Sequence, residues 1–217
     1  MKINPAARIT GEIRVPGDKS ISHRYAILGA AAEGVTRILD FSTCADCRST
    51  LDCVSQLGVE ITRFGREVRI ASPGRQSWTA PQKELDAGNS GTTIRLLTGL
   101  LAGSGFSSVI RGDESLNRRP MMRIIEPLRR MGARIDPAPG GFPPLRIHGG
   151  RLTAIRYELP VASAQVKSCI LLAGLTASGE TQVTGKISSR DHTERALPEF
   201  KAPFRISDGV LSVCLLY

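Results

Sequence analysis

The sequence predicts a mixed α/β fold built from three copies of one β-α-β-α-β-β unit. Two observations predict it. Three turns ending in serine recur along the chain, Val15-Pro-Gly-Asp-Lys-Ser20, Leu85-Asp-Ala-Gly-Asn-Ser90 and Leu159-Pro-Val-Ala-Ser163. Each is followed by an apolar run rich in small residues, and a repeat at fixed spacing constrains architecture more than local propensity does. The serine-to-serine offsets are 70 and 73 residues. They divide the chain into units at about 15–84, 85–158 and 159–217, with no room for a second domain.

The apolar runs, Tyr25 to Ala32, Ile94 to Ala102 and Ile170 to Ala177, read as helices. Being apolar nearly all round, they are expected to be buried and closely packed. Gly34, Gly103 and Gly179 are expected to end them in the left-handed conformation. Strands are expected next at Val35 to Leu39, Ser107 to Ile110 and Thr181 to Thr184. A second, amphipathic helix then completes each unit, at Arg48 to Leu57, Met121 to Met131 and Thr193 to Phe200. Asp191-His-Thr-Glu194 has the spacing of a capping box for the last of these. Gly58 and Gly132 close the first two helices and lead into paired strands, Val59 to Thr62 with Val68 to Ile70 and Ala133 to Asp136 with Leu145 to His148. In the third unit Lys201 stands where a capping glycine is expected and Pro203 interrupts the next strand, before a final strand at Val210 to Leu216.

Composition narrows the function. The 217 residues are 41% hydrophobic and 23% charged, which is ordinary for a globular protein. The first twenty residues hold no signal-like apolar run and no segment approaches a membrane span, so a cytoplasmic location without membrane contact is expected. Twenty-nine Lys and Arg against 20 Asp and Glu leave +9, which calls for an anionic partner if the surplus is concentrated. With aromatics at only 5% and no stacking or zinc-finger pattern, nucleic acid is a poor fit and a small anion a better one. Five cysteines, an odd number, suit reduced thiols. Cys44 and Cys47 form a C-x-x-C, but no second pair follows, so no metal site is expected.

If three equivalent units pack around an axis, the serine-bearing turns and the helix N-termini behind them converge. Each N-terminus carries roughly half a positive charge and free N–H groups, so the three together attract an anion. Side chains add to this: Lys19-Ser20 with Arg24, Asn89 to Thr93 with Arg95, and Ser163-Ala-Gln165 with Lys167. Ser20 and Arg24, like Ser163 and Lys167, are four apart, which places hydroxyl and cation on one helix face. Gly91 permits close approach of backbone to ligand, and Arg118-Arg119 offers a guanidinium fork.

Gly17-Asp-Lys-Ser-Ile-Ser-His-Arg24, Gly88-Asn-Ser-Gly-Thr-Thr93, Arg119-Pro-Met-Met-Arg123, Ser163-Ala-Gln-Val-Lys167 and Arg190-Asp-His-Thr-Glu194 together resemble the 5-enolpyruvylshikimate-3-phosphate (EPSP) synthase family. The resemblance runs to about Glu199, whereas family members are roughly twice as long. It implies one lobe of the enolpyruvyl transferase fold, three repeats about a pseudo-threefold axis, with residues 1–14 belonging to the second lobe. It implies shikimate 3-phosphate and phosphoenolpyruvate as partners, no cofactor, and either a complementary C-terminal lobe or a second copy to complete the site. Lys19, Ser20, Arg24, Ser163, Ala164, Gln165 and Arg190 would hold shikimate 3-phosphate; Lys19, Gly91, Arg119 and Gln165 would hold phosphoenolpyruvate. The Arg-Asp-His-Thr-Glu pattern resembles a bacterial subclass associated with glyphosate tolerance, though Gly91 is kept where some tolerant members carry alanine. The sister family acting on UDP-N-acetylglucosamine is a poorer match, because its opening Lys-Asn motif and reactive cysteine loop are absent.

The reaction implied adds the shikimate 5-hydroxyl to C2 of phosphoenolpyruvate, protonates the methylene carbon and expels phosphate, which requires an acid and a base. Lys19 is the one catalytic candidate here, the main carboxylates being expected in the second lobe. Asp18, Asp191 and Glu194 are expected to act as caps. The chain alone is therefore expected to bind shikimate 3-phosphate with little turnover. A non-catalytic phosphometabolite-binding module and one half of a split enzyme are the alternatives.

Overall fold

Where polar first turns carry a side-chain cap, a helix starts ahead of its apolar run. In the computed structural model, which describes residues 5, 8 and 10–215, this moves all three buried helices upstream of the expected starts. The first unit comprises α1 (Lys19–Ala31), β1 (Glu33–Ile38), α2 (Ala45–Ser55), β2 (Glu60–Phe64) and β3 (Glu67–Pro73). The second comprises β4 (Leu85–Asp86), α3 (Gly91–Ala102), β5 (Ser107–Arg111), a short α4 (Glu114–Asn117), α5 (Met122–Arg130), β6 (Arg134–Ala138) and β7 (Phe142–His148). After β8 (Leu152–Thr153), the third comprises β9 (Arg156–Leu159), α6 (Ala164–Gly174), β10 (Ala177–Ser178), β11 (Thr181–Gly185), α7 (His192–Glu199), β12 (Phe204–Ser207) and β13 (Val210–Val213).

Asp18, Ser90 and Ser163 supply the caps: their side chains accept the N–H groups of Ile21, Thr93 and Val166 at 2.8, 3.1 and 3.4 Å. The far ends differ from expectation as well. Gly34 (φ +119) lies inside β1, Gly103 ends α3 at φ −96 rather than in the left-handed region, and Gly179 (φ +95) follows β10. α6 stops at Gly174 because the chain turns to pair Ala177 with Leu152. The second helices do end as the sequence suggests. Gly58 and Gly132 take φ of +90 and +93, and Lys201 adopts φ +54 at the matching place, a conformation that disfavours a side chain.

Two four-stranded sheets share one plan. β4-β5-β7-β6 and β9-β11-β13-β12 each begin with a parallel pair and continue antiparallel. The first sheet, β1-β3-β2, is antiparallel throughout. Among the described residues no strand lies beside β1 in the place that β4 and β9 take beside β5 and β11, so the first unit departs from the predicted pattern by one strand. The expected final strand ends at Val213 within the described residues; Leu216 lies outside them, as does part of segment 1–14.

The core is a layer of helices walled by the sheets. Ile27, Leu51, Ile94, Leu97, Leu100, Ile170 and Leu172 are almost wholly buried. α3 and α6 pack closest, and they do so at Gly99: a Cβ there would lie 2.5 Å from the Cys169 carbonyl oxygen. That contact packs the bodies of the two helices together, and Gln165 joins their starts through Arg95 and Thr92.

Candidate functional site

At the start of α1, the Lys19 ammonium pairs with Asp46 of α2 at 2.9 Å, and this hydrogen bond lifts its pKa above the usual lysine range. The Asp46 carbonyl in turn accepts from Thr93 of α3 at 3.4 Å. Beneath them runs a buried chain of hydroxyls: His23 Nδ1 to Thr50 Oγ1, Thr50 to Thr93, and Thr93 to Ser90, at 2.6, 2.6 and 2.7 Å. The starts of α1, α2 and α3 are thus tied side by side. Burial holds the His23 imidazole down to about 4, so it is neutral at pH 7.

One turn into α1, the Arg24 guanidinium is only 4% exposed. It donates through Nε to Thr193 (2.6 Å), through one terminal nitrogen to the Ser20 carbonyl (3.0 Å) and through the other to Ser168 (2.9 Å). Ser168 and Thr193 share a further hydrogen bond at 2.6 Å. Burial lowers the Arg24 pKa to about 10, with the Glu194 carboxylate opposing the shift; the group stays charged. Arg190 reaches back from the turn before α7 and donates to Ser20 Oγ at 3.0 Å. Two cations therefore converge on Ser20.

A second cluster joins α3 and α6. Arg95, also 4% exposed, donates to the Gly91 carbonyl at 3.1 Å and to Gln165 Oε1 at 2.9 Å. The Gln165 amide then donates to Thr92 at 3.1 Å. Arg119 donates to Asn89 Oδ1 at 2.5 Å and to Ser115 at 3.3 Å. Gly91 is where these groups crowd together: a Cβ on it would lie 2.5 Å from one Arg95 terminal nitrogen and 3.6 Å from one of Arg119. Burial, then the nearby Arg123 and Arg119, lower the Arg95 pKa to about 10.

Of the residues expected to bind, Ser20, Arg24 and Arg190 thus come together, and Gly91, Gln165 and Arg119 are gathered around Arg95. Lys19 stands at the head of α1, while Ser163 and Ala164 begin α6 beside Gln165, with Ser163 engaged as the helix cap. Three expectations fail. Lys167 does not share an anion-facing side with Ser163; it is buried, paired with Glu194 Oε1 at 2.5 Å and the Ile187 carbonyl at 2.9 Å. Asp191 and Glu194 form no capping box, because Asp191 takes Arg195 at 2.9 Å and Glu194 takes Lys167. Arg118 turns away to Glu114, so it makes no fork with Arg119.

Sequence reasoning missed Ser168 and Thr193, the hydroxyls that seat Arg24. They lie 144 and 169 residues from it, and no local spacing signals such a contact. Thr92 and Asp46 were missed as partners for the same reason. Among the described residues no cluster of three His, Cys, Asp or Glu is arranged to hold a metal.

The geometry defines a mixed α/β lobe that gathers several helix starts and their cations at one end. The chain belongs to the EPSP synthase (3-phosphoshikimate 1-carboxyvinyltransferase) family, whose pattern matches residues 3–213. It is similar to the 3-phosphoshikimate 1-carboxyvinyltransferase of Solibacter usitatus, 57% identical over 212 residues that cover 98% of this chain and 50% of that protein. The enzyme of the same name from Bacillus licheniformis is 50% identical over 214 residues, again 98% of this chain and 50% of the relative. Among solved structures, EPSP synthase from Acinetobacter baumannii superposes with a TM-score of 0.91 at 47% identity, covering 95% of this chain and 48% of that one. The chain spans about half the length of the curated relatives it matches. No helix among the described residues is long and apolar enough to cross a membrane.

Proposed function

We propose that this lobe binds shikimate 3-phosphate and contributes to the transfer of the enolpyruvyl group from phosphoenolpyruvate to the shikimate 5-hydroxyl. The observation that carries the reading is the convergence of Arg24 and Arg190 on Ser20 at a helix start. Charge-assisted donors of this kind suit a phosphate, and the dipole behind them favours an anion. Lys19, Ser163, Ala164 and Gln165 complete the shikimate 3-phosphate site. Gly91 and Arg119, with Lys19 and Gln165, take phosphoenolpyruvate.

The carboxylates nearest this end support binding with little turnover by the chain alone. Asp18 caps α1, Asp46 pairs with Lys19, Asp191 with Arg195 and Glu194 with Lys167. Each already has a partner, so the acid and base that the reaction needs are expected from a second lobe, whose closure would exclude water. The three sheets are read as one unit repeated about a pseudo-threefold axis, the Arg190-Asp-His-Thr-Glu194 segment as the mark of the glyphosate-tolerant-like subclass, and the location as cytoplasmic.

A phosphate-release assay with both substrates tests the proposal. The chain alone is expected to release phosphate barely above background, and the chain mixed with a C-terminal half from a relative to release it steadily. Full turnover by the chain alone, or none in the mixture despite demonstrated association, contradicts it.

A further inference from the structure

Lys167 and Glu194 are the charged pair that the anion site does not absorb. Their side chains are 2% and 7% exposed, far more buried than ordinary surface ion pairs, and burying two charges costs heavily unless close geometry and further hydrogen bonds offset it. The Lys167 ammonium, at the end of the first turn of α6, reaches two places at once. One is Glu194 Oε1 on α7, at 2.5 Å; the other is the Ile187 carbonyl, at 2.9 Å, in the turn between β11 and α7. That turn carries Arg190, whose guanidinium meets Ser20 Oγ. The neighbours in sequence, Ser168 and Thr193, hold each other and Arg24. The Glu194 carboxylate lies close enough to Arg24 to favour its charged form, and its Oε2 is buried without a hydrogen-bond partner.

We propose that the buried Lys167–Glu194 pair is a positioning device for the anion site: it clamps the turn 186–191 onto α6, which holds Arg190 against Ser20, and it registers α7 against α6 so that Thr193 and Ser168 seat Arg24. Neither residue touches the ligand. The inference rests on the reading of Ser20, Arg24 and Arg190 as the shikimate 3-phosphate site and names the groups that set its geometry. An ammonium suits the role because it is a compact charge with several donors on a long stem, able to serve a carboxylate and a carbonyl in different directions.

The informative variant replaces both residues, Lys167→Met with Glu194→Met. Removing one charge alone leaves its partner buried and unpaired, whereas removing both does not, and apolar replacement of a whole buried pair is commonly tolerated. It also leaves the local net charge unchanged, since a cation and an anion go together, so a change in affinity reads geometry and not charge. The double variant is expected to fold, to lose amide-exchange protection at residues 187–190, and to bind shikimate 3-phosphate about tenfold more weakly in a calorimetric titration. In an Arg190→Ala background the part of that loss that runs through Arg190 should vanish, leaving a combined loss clearly smaller than the sum, because coupled residues are non-additive and a general packing defect is additive.

Wild-type protection at 187–190 together with wild-type affinity overturns the inference, and so does a full, additive loss in the Arg190→Ala background. Failure of the unmodified chain to bind shikimate 3-phosphate counts against the site reading instead, while the exchange measurement still decides whether the pair holds the turn. If the double variant does not fold, Lys167→Arg, which keeps the charge and alters the reach, is expected to loosen 187–190 in milder form; unchanged protection there contradicts the proposal equally.

Discussion

Arg24 and Arg95 are both 4% exposed, both lowered to about 10 by burial, and placed one turn into α1 and α3, yet their surroundings are opposite. Arg24 uses all three nitrogens on oxygen acceptors and has Glu194 nearby. Arg95 makes its hydrogen bonds through one terminal nitrogen, its Nε is buried without a partner, and its charged neighbours are Arg119 and Arg123. One arginine is a finished joint that presents its neighbours in a fixed arrangement. The other carries a charge that the protein leaves uncompensated, and an arriving anion would supply the missing counter-charge. Preorganisation dominates at the first end and unneutralised field at the second.

The largest test of that contrast is stability. Lys167→Met leaves Glu194 buried without its partner and should cost about 3–5 kcal/mol in chemical denaturation. Arg95→Met removes a cation with no counter-charge and should leave stability unchanged or raised. Similar losses from the two would erase the distinction. Acid should act on the first end next. His23 is 0% exposed and its folded pKa of about 4 lies below the ordinary 6.5, so the unfolded chain takes up the proton first. Stability is intact above pH 6.5 and falls as the pH drops through 4, by on the order of 3 kcal/mol; His23→Gln should flatten that segment of the stability profile.

Arg24→Ala removes the joint that fixes Ser20 and should weaken shikimate 3-phosphate binding by roughly the 1.5–3 kcal/mol of one charged hydrogen bond; unchanged affinity in a titration would contradict its role at the site. The smallest effect is expected from Gly91→Ala. The added methyl must push Arg95 away from the Gly91 carbonyl and Gln165, at about 1 kcal/mol of stability. It should weaken phosphoenolpyruvate more than shikimate 3-phosphate, and an equal effect on both would blur the two ends.

Much of the fold was legible because similar turns and apolar runs recur along the sequence. The turn serines, the apolar helices and the paired strands at 59–70 and 133–148 could be placed from spacing alone, and the structure puts elements there. The misplaced helix starts came from following apolarity where capping by Asp18, Ser90 and Ser163 decides the first turn. The geometry of the candidate site was half legible. Residues at helix starts, such as Ser20, Gly91 and Gln165, announce themselves through local motifs. Lys167 does not: its spacing from Ser163 suggested an outward cation, and only the side-chain bonds between α6 and α7 show that it faces Glu194. Ser168, Thr193 and Asp46 are equally silent, since their contacts are set by tertiary structure and not by sequence neighbours.

The most direct measurement is a calorimetric titration of the chain with shikimate 3-phosphate. Saturable one-to-one binding, displaced by excess inorganic phosphate and indifferent to an oligonucleotide, is the expected result. No heat at millimolar ligand, or binding that an oligonucleotide abolishes, would mean that the cations at these helix starts serve some other partner.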